Sequence, residues 1–119
     1  MTDQIDSLEP LKRLMAVIIE RASTRPPNSY TTRLLDSGYS KVGAKILEEA
    51  AELIEAAAES GDSGRKHFVY EAGDLIYHIF VLLAWRGVDI SEVADELARR
   101  EGISGLAEKQ SRTETNVEL

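Results

Sequence analysis

The sequence predicts an all-α protein, a bundle of four to five helices built around a central antiparallel helix hairpin. Three observations carry this. Ala, Leu, Glu and Ile dominate the 119 residues, a composition that favours helices. Apolar residues recur at spacings of three and four, and no run alternates β-branched with polar residues as a strand would.

Each segment has its own start and stop. A first helix is expected from Asp6, where Asp6-Ser7-Leu8-Glu9 has capping-box spacing and Pro10 falls in the first turn. Its apolar face is Leu11, Leu14, Met15, Ile18 and Ile19, and the stretch Thr24 to Ser29, with Pro26 and Pro27, ends it. A short helical turn is expected over Thr32 to Asp36, closed by Ser37-Gly38. From about Ser40 to Ser60, Val42, Ile46, Leu47, Ala50, Leu53, Ile54 and Ala57 form an apolar face read as pointing inward. Gly61 to Gly64 reads as the turn. A second long helix then runs from about Arg65 to Arg86, with Phe68, Ala72, Leu75, Ile76, Ile79, Leu82 and Leu83 at core spacing and Gly87 as the stop. The short linker makes the two an antiparallel hairpin. Asp89-Ile90-Ser91-Glu92 opens a last helix through about Arg100, with Val93, Leu97 and Ala98 inward and Gly102 closing it. The domain is expected to occupy residues 1–112, with 113–119 a disordered tail.

Charge and composition exclude several functions. With 14 basic against 21 acidic residues the net charge is −7, which argues against nucleic acid as a partner because that binding runs on clustered Lys and Arg. The absence of cysteine removes disulfides, zinc thiolates and thiol catalysis, and suits a cytoplasmic protein. The most apolar run, Leu75 to Trp85, is interrupted by His78 and falls short of the roughly 20 residues a membrane span needs, so no membrane partner is expected. The acidic amino terminus has no secretory pattern.

The residues that carry chemistry are two acidic pairs, Glu49 with Glu52 and Glu71 with Asp74. Each is spaced i, i+3, which puts both side chains on one helix face. Glu52 and Asp74 are about equidistant from the turn, so the four carboxylates can converge across the hairpin. Like charges packed together imply a compensating cation, and oxygen-only ligation selects Mg²⁺ or Mn²⁺. On pattern alone, solvated acidic faces are the alternative. His78 follows Asp74 by one turn, as a carboxylate partner, a metal ligand or, more in keeping with its apolar stretch, a hydrogen-bonded core residue, while His67 has no comparable context. Lys41 and Lys45, one turn apart, can offer charge to a phosphate.

Glu48-Glu49-Ala50-Ala51-Glu52 followed by Glu71-Ala72-Gly73-Asp74 resembles the EExxE…ExxD signature of the all-α nucleoside triphosphate pyrophosphohydrolase superfamily. Arg25-Pro26-Pro27 with Ser29-Tyr30-Thr31, the stretch Asp74 to His78, and Gly105-Leu106-Ala107-Glu108-Lys109 with Ser111-Arg112 resemble its phosphoribosyl-ATP pyrophosphohydrolase branch, over residues 8–112 in all. The resemblance implies Mg²⁺, with Mn²⁺ as a substitute, on Glu49, Glu52, Glu71 and Asp74. It also implies catalysis by Glu48, Glu49 and Glu52, with Glu48 near the attacking water, and phosphate contacts from Lys41, Lys45, Arg25 and Lys109. The implied reaction is hydrolysis of a nucleotide substrate, phosphoribosyl-ATP, to phosphoribosyl-AMP and pyrophosphate in histidine biosynthesis, by a homodimer. Ala44 and Leu47 stand where many family members have lysine and glycine, which removes one phosphate contact and spares the acids. With no counterpart of the cyclohydrolase domain often fused to this one, a stand-alone enzyme is expected. Competing readings are a house-cleaning hydrolase of free nucleoside triphosphates and a non-catalytic helical dimer. A di-iron carboxylate bundle would need Glu-x-x-His pairs, which the chain lacks.

Overall fold

The structure, a computed structural model, describes residues 7–101, and all of the regular structure among them is helical. It comprises two compact units divided after Val88. The first holds α1 (Glu9–Thr24), α2 (Tyr30–Ser37), α3 (Tyr39–Ala57) and α4 (Gly61–Arg86), and the second holds α5 (Ile90–Glu101). The expected fold class is what is observed.

α1 begins at Glu9 with Pro10 in its first turn, and Leu8 precedes it with no side-chain cap. The Asp6 of the expected capping box lies outside the described residues. The helix ends at Arg25, whose backbone is left-handed (φ 50°) and whose N–H donates to the Arg21 carbonyl at 2.8 Å. Pro26 denies Arg25 the right-handed helix, and the left-handed cap satisfies a carbonyl that would otherwise be orphaned. α2 is a full helix, longer than the turn expected, because Ser29 Oγ accepts from the Thr32 N–H at 3.2 Å and so caps it. Gly38, at φ 90°, separates α2 from α3.

The α3–α4 hairpin dominates the packing of the first unit, with α1 and α2 laid against it. Its turn falls earlier than expected. The connecting residues are 58–60, and Gly61 to Gly64 form the first turn of α4 rather than the loop. Gly61, at φ 79°, reverses the chain, and α4 starts at once. Gly64 serves close approach: a Cβ there would lie 2.8 Å from the Glu59 carbonyl carbon and 2.8 Å from the Glu59 Cβ.

The core is Met15 and Ile18 of α1, Leu34 and Leu35 of α2, Val42 and Ala56 of α3, and Phe80 and Val81 of α4. Several residues expected inward are not. Leu47 and Ile54 are 74% and 71% exposed, and Phe68 and Ile79 are also exposed. Helical spacing puts Leu47 and Ile54 two turns apart on the face of α3 opposite Val42, Glu49 and Ala56. Leu11 and Ile19, at the edges of the α1 stripe, are exposed too. By length and composition α4 qualifies to cross a membrane, yet it buries Glu71 and His78 and packs on α3, α1 and α2. That is the pattern of a helix packed within a bundle.

In the second unit the expected capping box is present. The Ser91 N–H donates to Asp89 Oδ2 at 2.8 Å, and the Asp89 N–H donates to Glu92 Oε2 at 3.1 Å. Glu96 accepts from Arg99 and Arg100, which hold its carboxyl down at about 2. Val93, Leu97 and Ala98, expected inward, are not buried, and α5 has no buried residue. Gly102 and the tail 113–119 lie outside those residues.

Gly64→Ala is expected to destabilise the protein by about 1–3 kcal/mol, since overpacking against the Glu59 backbone outweighs the helix propensity gained. Urea denaturation of the two proteins checks this, and unchanged stability would mean that the turn yields freely.

Candidate active site

The helix hairpin turns two sequence pairs into one acidic cluster. One carboxylate oxygen from each of Glu49, Glu52 and Glu71 lies within 4.8 Å of the others. Glu49 and Glu71 are 6% and 8% exposed, while Glu52 sits at the solvent-facing rim. Asp74 stands outside this triplet. It is half-buried one turn beyond Glu71 and acts on the cluster through its charge at Glu49.

The electrostatics are those of forced neighbours. Burial pushes the Glu49 carboxyl up, the charge of Asp74 pushes it further, His78 and Lys45 pull it back, and Glu71 adds to the rise. Glu52 is also raised, first by lost hydration and then by Glu49 and Glu71. Oε1 of Glu49 and Oε1 of Glu71 are buried without any hydrogen-bond partner, which is costly for an oxygen that carries charge. A hard divalent cation fits this set. It would satisfy both orphaned oxygens, all the donors are carboxylate oxygens, and it would cancel the repulsion that raises Glu49 and Glu52.

The other expected site residues are dispersed. Glu48 accepts from Lys45 Nζ at 3.0 Å and stands one turn before Glu52, whose carboxyl its charge helps to raise. Lys45 is raised mainly by that bond, yet its charge still reaches Glu49. Lys41 is exposed on α3. Arg25 gives its guanidinium to Asp36 of α2 and its Nε–H to the Ala22 carbonyl at 2.8 Å, so it braces α1 against α2. Lys109 and the segment around it lie outside the described residues. Ala44 and Leu47 are both exposed, on the side of α3 away from Glu49, so neither disturbs the acids.

Two histidines and a threonine–tyrosine pair complete the surroundings. His78 is buried and its Nδ1–H donates to the Asp74 carbonyl at 2.9 Å, leaving Nε2 without a partner. His67, without context in the sequence, stands between Glu59 and Glu71 with a ring nitrogen toward each. Its i, i+4 spacing from Glu71 was a usable signal; its proximity to Glu59 depends on the turn. Thr31 and Tyr77 share a hydrogen bond between α2 and α4, and Tyr30 stacks on Tyr77 at 6.3 Å. Burial raises the Tyr77 hydroxyl.

This fold and its acidic hairpin are those of the all-α nucleoside triphosphate pyrophosphohydrolases. Within that class the chain belongs to the phosphoribosyl-ATP pyrophosphohydrolase family, which it matches over residues 11–101, and it is a hydrolase. It is 61% identical to the phosphoribosyl-ATP pyrophosphatase of Rhodopirellula baltica over 107 residues, 90% of this chain and 89% of that one. With the phosphoribosyl-ATP pyrophosphatase of Neisseria meningitidis serogroup C it shares 43% identity over 105 residues, 88% of this chain and 95% of the other. The histidine biosynthesis bifunctional protein HisIE of Wolinella succinogenes is 45% identical over 103 residues, 87% of this chain but 44% of that longer protein.

The raised Glu49 carboxyl has a consequence for stability. Its native pKa lies above the ordinary 4.5, so the stability associated with the neutral form is fully present below about that pH and is lost as pH rises through the native value. In chelator, Glu49→Gln is therefore expected to match the parent in stability at low pH and to exceed it increasingly as pH rises. Urea titrations of both proteins across that range check the sign, and a pH-independent difference would mean that Glu49 is not held against like charge.

Proposed function

We propose that the chain hydrolyses phosphoribosyl-ATP to phosphoribosyl-AMP and pyrophosphate in a Mg²⁺-dependent reaction, as a cytoplasmic homodimer. The observation that carries this reading is the convergence of Glu49, Glu52 and Glu71 with two orphaned buried oxygens, in a chain of this family. Glu49, Glu52 and Glu71 would hold the cation, and Asp74 would add charge beside Glu49. When bound, the ion supplies positive charge against the triphosphate and acidifies water. Mn²⁺ is expected to substitute.

The chain's own groups orient and move protons. Glu48, exposed and paired with Lys45, takes a proton from water at the rim. Lys45, one turn before Glu49, offers charge to a phosphate oxygen once Glu48 releases it, with Lys41 a further turn out. Arg25 and Lys109 remain part of the reading as outer phosphate contacts, Arg25 on condition that it exchanges Asp36 for substrate.

The homodimer rests on surface. Leu47 and Ile54 on α3, with Phe68 and Ile79 on α4, expose apolar side chains among the described residues, and apolar surface of this kind marks a candidate association face. A second copy covers them most economically. Ile54→Asp is expected to halve the mass seen by sedimentation equilibrium, and an unchanged mass would remove this face from the interface.

The direct test incubates the protein with phosphoribosyl-ATP, ATP or dNTPs, with Mg²⁺ or chelator, and follows products by ³¹P NMR. Mg²⁺-dependent pyrophosphate release from phosphoribosyl-ATP is expected, with Glu71→Gln and Glu49→Gln each reducing the rate by about 10²-fold or more. Release from free nucleotides alone would move the chain to a house-cleaning role, and release from none would leave a non-catalytic helical dimer.

A further inference from the structure

His67 has no place in the reaction as set out above, yet it occupies a built position. It lies in the first part of α4, one turn before Glu71, with its Nε2 3.1 Å from Glu71 Oε2. On the other side, its Nδ1 is 3.0 Å from Glu59 Oε1 and 3.0 Å from Glu59 Oε2. The imidazole is thus clamped between a carboxylate of the hairpin turn and a carboxylate of the buried cluster. The turn supplies the clamp: the Glu59 backbone lies so close to Gly64 that no Cβ fits between them, and this sets the Glu59 side chain against α4 within reach of His67.

The two oxygens of Glu71 therefore have different circumstances. Oε2 is engaged by the histidine, while Oε1 is buried and unpartnered. A glutamate on a helix has three torsions to fix before its oxygen points reliably at anything. A ring donor on one oxygen, anchored from behind, fixes the last of them. Histidine and carboxylate partners behind metal ligands commonly orient them in this way.

We propose that His67 is a positioning residue, which holds Glu71 by Oε2, with Glu59 as its anchor, so that Oε1 is presented to the divalent cation shared with Glu49 and Glu52. This deepens the metal reading of the preceding section and rests on it. An exposed i, i+4 pair would matter little to anything, but the Glu71 side chain is only 10% exposed, and its orientation bears directly on the site.

The test is Mn²⁺ binding to the full chain without nucleotide, followed by calorimetry and by the electron paramagnetic resonance of free Mn²⁺, for the parent and for His67→Ala, His67→Gln and Glu59→Ala. His67→Ala is expected to weaken Mn²⁺ binding about tenfold. His67→Gln, which keeps a donor for Glu71, is expected to recover most of the loss. Glu59→Ala should give a smaller loss that does not add to that of His67→Ala. In the hydrolysis assay the Mn²⁺ concentration for half-activation rises to match, while kcat at saturating Mn²⁺ changes less than twofold. Circular dichroism reports folding, and should His67→Ala not fold, the other two variants decide. Unchanged or tighter Mn²⁺ binding in the variants, beside a parent that binds, overturns the positioning role alone. A parent that binds no Mn²⁺ overturns both this role and the metal reading.

Discussion

Two glutamates held out of water against each other are the constraint to which the rest of the first unit answers. Glu49 and Glu71 belong to facing helices, and each leaves an oxygen with no partner. Hydrophobic packing of Val42, Ala56, Phe80 and Val81 on the same hairpin must hold them there against desolvation and mutual repulsion. Neighbouring groups relieve part of the strain. Lys45 and His78 lower the Glu49 carboxyl, and His67 engages the free side of Glu71. None of these reaches the two orphaned oxygens, so the described side chains leave the site electrically unfinished.

The turn between α3 and α4 sets the register of that confrontation. Gly61 supplies the left-handed backbone and Gly64 the close approach. With the turn at 58–60, Glu49 and Glu71 stand at matching heights and Asp74 is carried one turn beyond Glu71. A glycine pair read as a loop thus acts as the start of a helix, and this alters which of the four acids meet.

Much of this was legible in the sequence, for identifiable reasons. The helices, the hairpin and the acidic pairs follow from three-and-four periodicity, which depends only on helix geometry. The capping box at Asp89 follows from local spacing. Periodicity identifies an apolar face but not what covers it, so Leu47, Ile54 and Phe68 read as core although they are exposed among the described residues. The pairing of Arg25 with Asp36 was not readable, because nothing local discloses that α2 brings Asp36 to it. His67 read as a residue without context for the same reason: one of its two partners, Glu59, is delivered by the turn. Residues whose role is set by their own helix are readable, and those whose role is set by a juxtaposition between helices are not.

The hairpin also bears on how the chain folds. Glu49 and Glu71 are neighbours along the sequence by the standards of tertiary contacts, and an αα-hairpin closes a short loop at small entropic cost, so it forms among the early events of folding. The acids meet before α1 and α2 need be in place. Their repulsion would then oppose closure of the hairpin itself, and a cation held by these carboxylates would favour it.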